Sequence, residues 1–444
     1  MKQTESPLKY AEVGSTCGAP DDVWPIDKRY ALFTAVIIFF IGMFDLVDRQ
    51  VIASLFPHLK EEFALSDKQL GLLVSAVNIS ISVLVEPSAY LVDHWSRKKM
   101  IFLMGTIWSV STLLCGFVTG FTHLLMARLL CGFGEAGYQP AGQSLLSACF
   151  PRKFRATATA IVTCGMSLGA PVGLMIGAFV SEHWGWRHAF GVVAIPGLLL
   201  SFLALRMHDF KVVAAEAPKK KGFWAQRGDY LATLREIVKM PTVLCVICSA
   251  VCIRMFNGVL LSWTPTYFTR VAEVPMTVAS TYASLIIVAE SLAIFLGGPV
   301  VDWVKSRSNR LVPIWLCFAM LSSGALYVIA YKLCQPGSMM QVALLVTSSL
   351  IFGTVFSAGT FLIVDLTAAN YRATAISLMI LSQNLLGYSV GPIVTGTISD
   401  MFNLSTAMVM SSFVLLAGAI FYGICIFSYP RDKERSTCVD IEFH

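Results

Sequence analysis

The sequence predicts an all-α polytopic membrane protein: twelve transmembrane helices in two pseudo-symmetric six-helix bundles. Three observations predict it, namely the balance of apolar and charged residues, the number and length of the apolar runs, and an echo between the two halves of the chain. Of 444 residues, 56% are hydrophobic and 14% charged, with a mean hydropathy of +0.69, whereas soluble domains carry about 25% charged residues. The net charge of +6 does not point to nucleic acid, because the basic residues fall in short clusters between apolar runs rather than along one face.

A helix crossing the hydrocarbon core needs about twenty apolar residues. Runs of that kind occur at Tyr30–Pro57, Gln69–Val92, Met100–Val118, Leu124–Phe150, Ala156–Val180 and His188–Met207, followed by a polar stretch. The plan then repeats at Val243–Phe268, Val278–Val301, Leu311–Tyr331, Gln341–Leu366, Ala373–Ser399 and Ser405–Tyr429. This divides the chain into a tail (1–28), a first bundle (29–207), a linker (208–241), a second bundle (242–430) and a short tail (431–444). Arg97, Lys98 and Lys99, then Arg152, Lys153 and Arg155, then Lys305, Arg307 and Arg310, and finally Arg431, Lys433 and Arg435 lie between alternate runs. Basic residues in short loops mark the cytoplasmic side, so both termini and the linker are expected there. The linker carries Lys219, Lys220, Lys221, Arg227, Arg235 and Lys239 and reads as a solvated connector lying on the inner leaflet. The polar stretch ahead of the first run does not resemble a cleaved signal peptide, and the expected location is a bacterial inner membrane.

Most of the cysteines sit singly inside apolar runs, as Cys115, Cys131, Cys149 and Cys164 do, which suits packing rather than disulfides. Cys245, Cys248 and Cys252 have near-helical spacing, but no histidine or second cysteine pair accompanies them, so no metal site is expected. No nucleotide-binding loop and no Ser/His/Asp arrangement at a membrane face stands out, and the loops are too short to house a catalytic domain. Neither enzyme activity nor a cofactor is expected. A membrane sensor would typically add an output domain, and the tail after Tyr429 is short.

The halves echo each other. The second run ends Ala89-Tyr90-Leu91-Val92-Asp93-His94-Trp95-Ser96-Arg97-Lys98-Lys99, and the eighth ends Gly298-Pro299-Val300-Val301-Asp302-Trp303-Val304-Lys305. In each, a small residue stands four positions before an aspartate that basic residues follow. Such an aspartate can bind neighbouring helix N-termini and loop cations, so Asp93, Arg97 and Asp302 are candidate gating residues in a latch that breaks as the halves rock apart.

The Asp93–Lys99 segment resembles the signature loop between helices two and three of the major facilitator superfamily, with Ala89, His94 and Ser96 departing from the usual glycine, arginine and glycine. Further stretches are similar to the Spinster family: Asp48-Arg49, Ser66-Asp67 followed by Gln69-Leu70-Gly71, Gly132-Phe133-Gly134-Glu135-Ala136-Gly137-Tyr138, Phe150-Pro151-Arg152-Lys153, and Gly185-Trp186-Arg187. Gly391-Pro392 with Gly396 and Ser399-Asp400 continue the likeness, which spans Lys28 to Tyr429. The resemblance implies the major facilitator fold and transport of lipid-like solutes, with Arg49 and Glu135 facing a central cavity.

Independently of family, ionisable groups inside a span cost several kcal/mol and are usually paired or line a watery path. Asp45, Asp48 and Arg49 share one face of the first helix, and Arg128 and Glu135 one face of the fourth. At about 1.5 Å per residue all five lie between the midplane and the outer third, where one network can form. Glu135 is the expected proton carrier, pairing with Arg49 when ionised and releasing it when protonated; Asp45 and Asp48 complete the proton-coupling set. A permanent salt bridge joining helices one and four is the alternative. Histidines do not compete, since His58, His94, His123, His183 and His188 fall at run ends or in loops.

In the second half Arg254 and Glu290 stand near mid-span, where they either hold each other or bind substrate, Arg254 gripping a carboxylate or phosphate. The candidate substrate-binding set is thus Arg49, Arg128, Arg254, Glu290 and Asn257, while Trp263, Tyr267, Gln383 and Asn384 serve either contact or packing. Gly165, Gly169, Gly173 and Gly177, interrupted by Pro171, support close helix packing more firmly than exchange. The functional expectation is a monomeric secondary active transporter that moves an amphipathic or lipid-like organic solute by alternating access, coupled to protons and surrounded by membrane lipids. A proton symporter of small organic anions, such as sugar acids or aromatic carboxylates, is the alternative.

Overall fold

The computed structural model describes residues 24–209, 237, 239–367 and 369–436. The linker cations Lys219 to Arg235 lie outside the described residues.

The first half holds α1 (Lys28–Ser54), α2 (Phe56–Phe63), α3 (Asp67–His94), α4 (Arg97–Cys115), α5 (Phe121–Cys149), α6 (Arg152–Trp184) and α7 (Trp186–Ala204). The sequence reading runs the first span through Pro57, but the helix ends at Leu55, whose N–H bonds back to the Ile52 carbonyl at 3.1 Å in a tighter turn. The chain instead restarts at α2, with proline in its first turn and Ala64 in the left-handed region at its end (φ 49°). α3 opens on a capping box: the Ser66 hydroxyl accepts from the Gln69 N–H at 3.2 Å, and Gln69 Oε1 accepts from the Ser66 N–H at 2.9 Å.

The second half holds α8 (Pro241–Arg270), α9 (Met276–Arg307), α10 (Leu311–Lys332), α11 (Met339–Gly353), α12 (Phe356–Leu366), α13 (Ala369–Ser382), a π-helical stretch at Gln383–Tyr388, α14 (Val390–Met401) and α15 (Leu404–Ser436). Two expected spans depart from a single regular α-helix. The tenth divides after Gly353, whose missing Cβ would otherwise lie 2.5 Å from the Glu290 carbonyl oxygen. The eleventh widens into the π-helical stretch, where the backbone N–H of Ser389 bonds to the carbonyl of Asn384 at 3.1 Å.

Ten described helices are long and apolar enough to cross a membrane. The 29-residue α5 is not among them, because Arg128, Glu135, Gln139, Gln143 and its glycines dilute its apolar content. It and the α11–α12 pair complete the twelve-helix plan. Large exposed apolar side chains such as Leu199, Phe318, Ile420 and Phe427 would be a liability in water and suit a lipid-facing surface.

Within the first half α1 packs most extensively on α6, and α5 lies between α3 and α4; within the second, α15 packs on α8 and α10. The halves meet mainly through α6 against α9 and α3 against α14. The start of α1 and the end of α7 share one end of the molecule, where the Tyr30 and His208 rings lie 4.3 Å apart. This is the linker end; α3 and α9 begin at the opposite, far end.

Candidate functional site

Because Asp45, Asp48 and Arg49 are spaced at one helical turn, α1 turns all three toward α5. Small residues bring α5 close: a Cβ on Gly134 would stand 2.5 Å from the Trp108 backbone nitrogen, and one on Gly132 2.5 Å from the Val77 carbonyl oxygen. The tight packing fixes Glu135 against α1. Arg49 Nε lies 2.9 Å from Glu135 Oε2, and an Arg49 terminal nitrogen lies 3.3 Å from Asp45. The Tyr138 hydroxyl donates to Asp45 Oδ2 at 3.1 Å, and Arg128 Nη1 donates to Asp48 Oδ2 at 3.2 Å. The five side chains expected to share a network gather here as two neighbouring groups, Arg49 with Asp45 and Glu135, and Arg128 with Asp48. The two differ in character. Arg128 and Asp48 are fully enclosed, whereas the Arg49 side chain is 20% exposed. The Arg49–Glu135 approach is close but poorly aligned, so neither Glu135 oxygen completes a hydrogen bond. Three carboxylates face two guanidiniums here, leaving one negative charge in excess when all are ionised.

In the second half, α8 supplies Arg254 and Asn257 and α9 supplies Glu290. The two charges do not form an ion pair. Asn257 Nδ2 donates to Glu290 Oε1 at 2.7 Å, while the Arg254 guanidinium stacks 5.0 Å from the Phe356 ring and its Nε has no partner. Arg254 and Glu290 remain close enough to interact electrostatically. Among the described residues, Arg254 is the one charged side chain on the wall of a cavity of about 380 Å³, whose other walls include Ile253, Ile376, Met379 and Gln383. Tyr388, at the end of the π-helical stretch, lies within electrostatic range of Arg49 in one half and Arg254 in the other.

The remaining candidates divide. Arg97 is buried and its Nε donates to Ser144 Oγ at 2.8 Å, tying α4 to α5 within one half. The Asp93 side chain lies outside the described residues, and Asp302 is exposed. Trp263 donates to the Pro392 carbonyl at 3.1 Å and Tyr267 accepts from Gln341 at 2.9 Å, so both serve packing; Gln383 reaches the cavity.

Sequence reasoning missed a charged cluster that joins the halves at the far end. Asp400 Oδ1 and Oδ2 accept from the Asp67 and Lys68 backbone N–H groups, each at 2.8 Å, capping α3 from across the interface. The Asp67 carboxylate takes both ends of the Arg270 guanidinium at 2.8 and 3.1 Å, Lys60 at 2.5 Å and the Ser399 hydroxyl at 2.5 Å. The signal was present: Ser66-Asp67 and Ser399-Asp400 are the two Ser-Asp pairs noted in the resemblance, and they meet.

Charged side chains buried at mid-span among packed helices are a mark of membrane proteins that move solutes or ions. A model of the Major Facilitator Superfamily matches residues 38–392, and the chain belongs to that superfamily. It is similar to a sphingosine-1-phosphate transporter of Xenopus tropicalis, 22% identical over 98% of this chain and 89% of that protein. It is also similar to protein spinster homolog 1 of Homo sapiens, 26% identical over 92% of this chain and 83% of that one. Among solved structures, a bacterial homolog of the human lysosomal transporter Spinster, inward-facing and unoccupied, aligns with a TM-score of 0.81 at 22% identity, covering 92% and 99% of the two chains. A nucleoside transporter aligns at 0.70 and 15% identity over 91% and 99%.

Proposed function

We propose that this transporter carries an amphipathic, lipid-like anion by alternating access and that Glu135 carries the coupled proton. The observation that supports the proton most is the unequal charge of the α1–α5 cluster. A buried group of three carboxylates and two arginines is neutralised by a single proton, and burying uncompensated charge is costly. Glu135 is the fitting site for it, since its ion pair with Arg49 is unaligned and Arg49 is the cluster's partly exposed member. Protonated Glu135 releases Arg49; ionised Glu135 holds it, and the difference biases which way the halves rock.

The amphipathic reading rests on the cavity. A largely apolar wall whose one cation among the described residues is Arg254 suits an anionic head with a hydrocarbon chain, whereas a sugar acid calls for a compact polar site. Relatives described as a sphingosine-1-phosphate transporter and as Spinster proteins agree with it. In this reading the linker end is cytoplasmic, in keeping with its basic loops, and the membrane is a bacterial inner membrane. The test is proton movement in proteoliposomes holding a pH dye, challenged with lysophospholipids, sphingoid bases and small carboxylates. A lipid-dependent proton signal that is lost in Glu135→Gln is the expected result. Full, equally pH-dependent transport by that variant would remove Glu135 from the role, and a response to small carboxylates alone would move the substrate to the anion class.

A further inference from the structure

Glu290 is 3% exposed and sits at mid-span of α9, yet its one direct polar partner among the described residues is the neutral amide of Asn257 at 2.7 Å. The nearest cation, Arg254, has turned to the Phe356 ring and leaves its buried Nε unpartnered. The other titratable groups in range are the phenols of Tyr327 on α10 and Tyr388 on the π-helical stretch, neither of which supplies positive charge. From α11, Gly353 packs against the Glu290 backbone and brings no titratable side chain. An ionised carboxylate at mid-span whose direct partner is an amide lacks a contact ion pair, and the guanidinium facing the cavity lacks one too. Each is balanced by a different addition: a proton on the carboxylate and an anion on the guanidinium.

We propose that Glu290 is a second proton site, distinct from Glu135, and that its carboxylate and the anionic head group of the substrate compete for Arg254. With Glu290 protonated, Arg254 is free to take a phosphate or carboxylate oxygen in the 380 Å³ cavity. When the proton leaves, the ionised carboxylate claims Arg254 and expels the anion. Binding of the anion and binding of the proton therefore reinforce each other, and linkage makes the effect reciprocal. The inference rests on the anionic-substrate reading above but not on Glu135, and it makes the second half a coupling unit in its own right.

The first measurement needs no substrate: infrared difference spectra of the purified protein between neutral and alkaline pH, for wild type, Glu135→Gln and Glu290→Gln. A neutral-carboxyl band that survives Glu135→Gln and disappears in Glu290→Gln is expected. If Glu290→Gln leaves the band unchanged, Glu290 is already ionised and the proposal is overturned whatever solute is carried. The second measurement titrates that band in Glu135→Gln with and without lysophosphatidic acid at about ten times its Kd. Its midpoint is expected to rise by about one pH unit, since the anion binds only the protonated form. Bound lysophosphatidic acid with an unmoved midpoint overturns the competition. If lysophosphatidic acid does not bind, benzoate takes its place as probe under the same criterion, and the lipid-like reading fails while the proton site stands or falls on its own band.

Discussion

At the residue scale, two ion pairs a turn apart on α1 have opposite tasks because of their surroundings. Arg128 and Asp48 are shut away, with side chains 1% and 0% exposed, so neither has water to fall back on. Asp48→Asn leaves a buried guanidinium without its counter-ion, a loss of about 3–5 kcal/mol, and should show as low yield and a clearly reduced melting temperature in detergent. Glu135→Gln removes a carboxylate whose partner keeps Asp45 and some solvent. It should melt close to wild type, within about 1 kcal/mol, while losing proton coupling. Equal destabilisation of the two variants would mean that the Arg49–Glu135 pair is a structural tie and not a switch. The residues of this cluster were readable from sequence because helical spacing places i, i+3 and i+4 on one face. Which arginine pairs with which carboxylate was not readable, since that depends on the rotation of α5 against α1, and the rotation is fixed by glycines packing on α3 and α4.

At the element scale, the packing of α6 on α1 was legible for the same periodic reason. A Cβ on Gly173 would lie 2.4 Å from the Val47 carbonyl oxygen, a backbone atom that cannot turn aside, so even one methyl forces the helices apart. Gly191 in α7 has nothing within 4 Å of the same position. Gly173→Ala should therefore destabilise by about 1–3 kcal/mol, and Gly191→Ala should be neutral or stabilise by up to about 1 kcal/mol through helix propensity. Thermal unfolding of the two purified variants separates them, and similar melting temperatures would contradict the close-packing account. The divided tenth span and the widened eleventh escaped the sequence reading because hydropathy registers length and not backbone geometry. An apolar run reads alike whether it forms one α-helix, two helices meeting at Thr354–Val355, or a helix widened at Gln383–Tyr388. The widening puts Tyr388 between the two halves, packed in a cluster with Ala53, Ala170 and Leu174 of the first and Leu261, Ala283 and Ile287 of the second.

At the scale of the whole molecule, the far end carries a set of bonds between the halves among the described residues. Besides the Asp67–Asp400 cluster, the Glu182 carboxylate accepts from the Thr277 N–H at 2.9 Å, and the Ser284 hydroxyl donates to the Pro171 carbonyl at 3.1 Å. At the linker end, the bonds from Arg97 to Ser144, from the Thr242 N–H to Asp432 and from Tyr429 to Asp365 each stay within one half. The halves are thus bonded to each other across the far end, and under the alternating-access proposal the stability of this state relative to a reverse one depends on charge-assisted bonds that opening this end would break. Capping of α3 by Asp400 and the bidentate Arg270–Asp67 pair are the strongest of these in kind. Removing one costs this state on the order of 1–2 kcal/mol, and every 1.4 kcal/mol shifts a two-state population about tenfold. Spin labels at Phe117 and Leu333, both 74% exposed and at the far ends of α4 and α10, report the opening directly. In a cysteine-free background, Asp400→Asn and Arg270→Ala should each add a longer label-to-label distance at the expense of the short one, and their combination should make it dominant. A distance distribution unchanged by the double variant would show that apolar packing of α3 on α14, and not the charge cluster, holds the far end shut.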